Sequence, residues 1–155
     1  MTASKPDLYR ELAGQLAALL AGEADRIANA ANMAALIYHG LPDLNWAGFY
    51  FRRGAELVLG PFQGKPACVR IAIGRGVCGT AAARAATVVV PDVHDYPGHI
   101  ACDARARSEI VVPVLGQRGD LIAVLDVDSD RLDAFKKEDQ QGLERIVSWF
   151  ATMQE

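Results

Sequence analysis

Leu8, Leu12, Leu16 and Leu19 recur at spacings of four, four and three. That is one apolar stripe, and it predicts an amphipathic helix over residues 5–22. Ser4 is placed to cap it, and Pro6 suits its first turn. A second helix is predicted over 24–39, closed by Gly40. The period then changes. Residues 45–51 and 56–60 read as paired strands joined at the turn RRGA, and residues 68–73 alternate as a strand does. Residues 76–86 are Ala-rich and helical, and 87–90 form a strand stopped by Pro91. Residues 92–107 hold polar and turn residues and read as one long loop, which in a small domain usually carries function. Residues 109–115 and 120–128 flank GQRG as a hairpin. A last helix over 138–153 turns Leu143, Ile146, Val147 and Phe150 inward.

Two helices, several strands with an embedded helix, a hairpin and a final helix make an α+β domain. The pattern predicts a central antiparallel β-sheet with N- and C-terminal helices packed on one face. The 155 residues suit a single domain spanning 1–155. A net charge of −3, with both signs mixed along the chain, leaves no basic face, so no nucleic acid and no anionic membrane is expected as partner. No apolar run approaches the ~18 residues of a membrane span. MTASKPDLYR lacks the apolar centre of a signal peptide, so a cytoplasmic location is expected.

The three cysteines, Cys68, Cys78 and Cys102, include no C-x-x-C pair, and with His94 and His99 they give no zinc-knuckle spacing; no metal is expected. Cys78 opens an apolar helix and reads as a buried, inert thiol. Cys102 differs: it sits among turn residues with Arg105 and Arg107 close by, and positive neighbours favour the thiolate. Cys68 begins a strand and is a second reachable thiol. The residues alone leave two readings open, a two-electron redox pair and unreactive cysteines. The run GRGVCG over residues 74–79 matches the glycine pattern of dinucleotide sites. A short following helix, no strand–helix alternation and an acid only 13 residues on argue against that use.

Trp46 and Tyr50, four apart on a strand, share a face, as do Asp126 and Asp128. The hairpin pairing places Glu109 near one of these aspartates. Crowded carboxylates raise at least one pKa, which yields a proton donor, and they attract an ammonium group.

NWAGFY, LGPFQGKPAC, GRGVCGTAA, VPDVHDYPGHIACD, SEIVVPV and LDVDS, in this order, closely resemble the free methionine-(R)-sulfoxide reductases, small enzymes with a GAF-like fold. The resemblance spans about residues 5 to 153 and implies a ligand pocket on the sheet face opposite the terminal helices. It implies that Cys102 is the nucleophile, Cys68 the main resolving cysteine, and Cys78 a secondary resolving one. Trp46 would pack on the substrate methyl group with Tyr50 beside it, and Glu109, Asp126 and Asp128 would line the polar side. It further implies free methionine-(R)-sulfoxide as substrate, thioredoxin as reductant and no bound cofactor. A homodimer through the terminal helices is a further expectation of this fold. Two alternatives share these features: a GAF small-ligand sensor without turnover, and a thiol redox switch that answers to peroxide.

Overall fold

The computed structural model of the chain describes residues 3–100 and 105–153. Helix α1 spans Lys5–Leu20 and begins where the Ser4 hydroxyl accepts the Asp7 N–H at 3.3 Å. Its inward face is Tyr9, Leu12, Ala13, Leu16 and Leu20. Leu19, placed in the stripe by sequence, is instead 47% exposed, because the 3.6-residue turn brings position 20 under position 16. Helix α2 (Arg26–Gly40) starts two residues later than expected, where the Asp25 carboxylate accepts the Ala28 N–H at 2.9 Å. Gly40 lies inside its last turn; Leu41 leaves in an extended conformation and closes the helix through its own N–H to Ile37.

Six antiparallel strands follow: β1 (Leu44–Arg53), β2 (Glu56–Gly64), β3 (Arg70–Ala72), β4 (Val88–Val90), β5 (Ser108–Leu115) and β6 (Leu121–Ser129). Their order across the sheet is β3-β2-β1-β6-β5-β4. Strand β2 runs beyond the expected 56–60, past Pro61. A bulge between Gly48 and Tyr50 absorbs the proline, which has no N–H to give the ladder. Strand β3 is shorter than 68–73, so Cys68 precedes it. Helix α3 (Gly76–Arg84) sits between β3 and β4, and α4 (Lys137–Met153) ends the described chain. The long loop contains a 3-10 turn, Val93–Asp95, and is tied near both ends by the Val93 N–H to the Arg107 carbonyl at 2.9 Å.

Alternation along the central strands divides the interior in two. Ala47, Phe49 and Phe51 of β1, Ile110 and Val112 of β5, and Leu125 and Val127 of β6 face the layer of α1, α2 and α4. Leu143, Ile146, Val147 and Phe150 of α4 meet them as expected, with Phe49 and Phe150 stacked at 5.1 Å. Helices α2 and α4 lie on the sheet, and α1 packs across both. One polar knot joins α1 to α4. The Asp139 carboxylate accepts the Tyr9 hydroxyl at 2.8 Å and the Lys136 N–H at 2.7 Å, and pairs with Lys5 Nζ. The other sheet face, with α3, holds Trp46, Tyr50, Val77 and Cys78. Among the described residues, no helix is long and apolar enough to cross a membrane.

Candidate active site

The β1–β6–β5 register puts Trp46 opposite Asp128, and Asp128 opposite Glu109, in one cross-strand row. Asp126 stands in a neighbouring row between Gly48 and Val111. Two residues of offset keep the side chain on the same face, so all three carboxylates line one cavity. They are 6–8% exposed, an unusual cost for acids unless something compensates the charge.

Aromatic rings stand beside the acids on the same sheet face. Trp46 stacks between Tyr50, at 6.0 Å between centroids, and Phe62, at 5.2 Å. Trp46 and Tyr50 are each tethered by a polar atom: Trp46 Nε1 donates to the Lys65 carbonyl at 3.1 Å, and the Tyr50 hydroxyl donates to the Cys68 carbonyl at 2.8 Å. Gly48 makes the packing possible. A Cβ there would fall 2.3 Å from Phe62 Cβ and 2.8 Å from Trp46 Cη2.

The N-terminus of α3 supplies a third side, through Arg75, Gly76, Val77 and Cys78. Gly74 and Gly76 have φ of 99° and 62°, in the left-handed region that glycine tolerates. A Cβ on Gly79 would meet the Ala72 carbonyl at 2.5 Å, so that glycine serves helix-to-strand packing. The glycine run therefore builds a tight turn into α3, and every strand pair described is antiparallel, which excludes a doubly wound dinucleotide fold. His99 and Ile100 add to the lining, with His99 Nε2 3.7 Å from Glu109 Oε1. The space these residues surround, open solvent at its mouth included, is about 520 Å³.

The acids do not share one ionisation state. Burial, then the charges of Asp128 and Glu109, push Asp126 well above the usual carboxylate range. Burial acts on Glu109 in the same upward direction, but hydrogen bonds with Asp126 and His99, and the His99 charge, outweigh it and hold Glu109 below that range. Of the pair, Asp126 is the acid biased toward holding a proton. Burial and the neighbouring Asp126 and Glu109 push the Cys78 thiol well up, so it stays protonated near neutrality. Burial and the same acids raise Tyr50, which remains a hydrogen-bond donor.

The fold brings together six of the eight residues singled out in the sequence: Trp46, Tyr50, Cys78, Glu109, Asp126 and Asp128 all line the cavity. Cys68 is half-buried beside it and disulfide-bonded, with its neighbour Ala67 in the lining. Cys78 is buried with a free thiol, as its context predicts. Cys102 lies outside the described residues. In the sequence His99 presents itself only as a candidate metal ligand; its place beside Glu109 has no periodic signal, because it comes from the loop. Arg75 was missed for a similar reason, being the last residue before a helix.

The GAF domain family matches residues 12–153. The free methionine-R-sulfoxide reductase of Escherichia coli is 51% identical over 145 residues, covering 94% of this chain and 87% of that one. A free methionine-R-sulfoxide reductase from Neisseria meningitidis, solved in complex with its substrate, is 44% identical, covers 99% of this chain and 92% of that one, and superposes with a TM-score of 0.94. A GAF protein structure from Burkholderia vietnamiensis is 60% identical over 96% of this chain and 94% of that one, with a TM-score of 0.93. The chain belongs to the free methionine-(R)-sulfoxide reductases, a family built on the GAF domain.

Proposed function

We propose that this chain reduces free methionine-(R)-sulfoxide to methionine, with Cys102 as nucleophile, Cys68 as main resolving cysteine and Cys78 in reserve. The observation that supports it most is the set of buried acids, Glu109, Asp126 and Asp128, beside Trp46 in one cavity.

A sulfoxide sulfur is a poor electrophile until its oxygen gains a proton. Asp126, held protonated, is the donor. The Cys102 thiolate attacks the sulfur, the sulfur–oxygen bond breaks, and methionine leaves with the sulfur reduced. The oxygen ends on Cys102 as a sulfenic acid. The Cys68 thiol then attacks that sulfur, expels water and forms the disulfide. A thioredoxin-type dithiol returns both cysteines to thiols and becomes oxidised itself, which fits a reducing, cytoplasmic setting. The disulfide-bonded state of Cys68 agrees with a redox role for it.

Selection of the free amino acid follows from the same side chains. Ionised Glu109, with Asp128 opposite it, attracts the α-ammonium. A peptide-bound residue lacks that charge and would leave buried acids uncompensated, a large penalty. Trp46 offers its face to the S-methyl group.

Thioredoxin-coupled NADPH oxidation, followed with free methionine-(R)-sulfoxide, the free (S) epimer and an (R)-sulfoxide peptide in parallel, tests the reading. Turnover of the first alone is expected. Equal turnover of the peptide would overturn the ammonium argument. No turnover of any would return the protein to the ligand sensors.

A further inference from the structure

We propose that the inner end of the cavity is a binding site for a thiophilic divalent cation, zinc foremost, held by Cys78, Glu109 and Asp126. The three residues come from α3, β5 and β6, so no sequence spacing announces them. One ligand atom from each, the Cys78 sulfur and two carboxylate oxygens, lie within 4.8 Å of one another. Zinc bonds of about 2.0–2.3 Å place neighbouring ligand atoms of a tetrahedron roughly 3.5 Å apart, so a contraction of about 1 Å fills three corners. His99 Nε2 lies 3.7 Å from Glu109 Oε1 and outside this group of three, so the fourth corner is left to water.

A second observation points the same way independently. Asp126 is 6% exposed, and its Oδ1 has no hydrogen-bond partner among the described residues. A buried carboxylate oxygen left without a donor is costly, and a cation removes that cost. The thiol decides the class of cation. Magnesium and calcium take oxygen ligands, whereas a thiolate sulfur together with carboxylates suits zinc. On binding, the Cys78 S–H bond breaks and a sulfur–metal bond forms. The protons of Cys78 and Asp126 leave to solvent, and no oxidation state changes.

Such a cation would occupy the polar end of the cavity, where the substrate ammonium is proposed to sit, and would compete with it. The site itself does not depend on the sulfoxide reading, and its test reads the metal directly. Cobalt(II), a coloured stand-in for zinc, is titrated into the Cys68→Ser/Cys102→Ser variant, in which Cys78 is the sole remaining thiol of the chain. The expected result is a thiolate-to-cobalt absorption band that saturates at one equivalent, is bleached by zinc, and vanishes when Cys78→Ser is added. Asp126→Asn and Glu109→Gln should each weaken cobalt binding about tenfold or more. No band, or a band indifferent to both carboxylate changes, overturns the proposal. Should a carboxylate variant fail to fold, thiol modification decides in the Cys68→Ser/Cys102→Ser background. Zinc should slow labelling of Cys78 at least several-fold there, and an unchanged rate overturns the site.

Discussion

Glu109 and Asp128 face one another directly across the β5–β6 ladder, both more than nine-tenths buried. Like charges opposed on a sheet are destabilising, and more so away from water. His99 beside Glu109 and the proton on Asp126 relieve part of that repulsion. The remainder is a standing attraction for a cationic group, which is what a free amino acid brings and a peptide bond removes.

If Asp126 delivers the proton, Asp126→Asn should lower kcat about 10²- to 10⁴-fold, with a smaller change in KM. The acid works only while protonated. Wild-type kcat should therefore fall as pH rises through the raised pKa of Asp126, and the variant should lose this basic limb. Profiles of kcat against pH check both. A variant that keeps full kcat, or keeps the limb, assigns the proton to another group.

The same shift has a sign for stability. The folded state holds the Asp126 proton above the pH at which the unfolded chain releases it. Between the two pKa values the folded state binds more protons, so rising pH destabilises the wild type, by about 1.4 kcal/mol per pH unit within that window. Glu109, held low, acts in the opposite direction, and its share is complete once an unfolded-chain glutamate has ionised, within the ordinary carboxylate range. Asp126→Asn should become steadily more stable relative to wild type as pH rises above the ordinary carboxylate range. Urea unfolding at a series of pH values would show it, and a constant difference would contradict the shift.

Gly48→Ala tests the aromatic wall without touching an ionisable group. The added methyl meets the Phe62 backbone at 2.9 Å as well as Trp46, so β1 and β2 must part. A loss of about 1–3 kcal/mol in stability is expected, with a raised KM. Unchanged KM would mean that Trp46 is not a substrate contact.

Asp139→Ala should cost about 3 kcal/mol, since it strips the buried Tyr9 hydroxyl and the Lys136 N–H of their acceptor at once. Turnover of the folded fraction should be unaffected, because the knot lies on the helix side of the sheet. Thermal unfolding and specific activity separate the two effects.

Cys68→Ser should still complete one reductive turnover yet fail to recycle with thioredoxin, whereas Cys102→Ser should not complete even one. Single-turnover methionine yield, read beside the coupled assay, distinguishes them. Normal recycling by Cys68→Ser would transfer the resolving role to Cys78.

Periodicity carried most of the fold, because burial repeats every second residue in β1, β5 and β6 and nearly every fourth in α1 and α4. It erred at Leu19 and Leu20, where two apolar neighbours both fit a stripe and only the helix's true pitch chooses. Trp46, Tyr50, Asp126 and Asp128 were legible because strand spacing puts them on one face. Their meeting with Glu109 followed from the hairpin. The proximity of Cys78 to those acids was not legible, since it depends on how α3 crosses β5 and β6, a contact without local signature. His99 escaped for the same reason.

The strict alternation of the central strands also governs how this chain can vary between generations. Along β6, Leu125 and Val127 belong to the helix side, and Asp126 and Asp128 to the cavity. Replacing one residue alters one side only. Deleting or inserting one inside β5 or β6 would exchange the sides, driving carboxylates into the helix-packed layer and aliphatic chains into the cavity. Changes of length are then tolerable only in turns such as residues 116–120, and the reading frame of the sheet becomes as much a requirement for the cavity as the acids it carries.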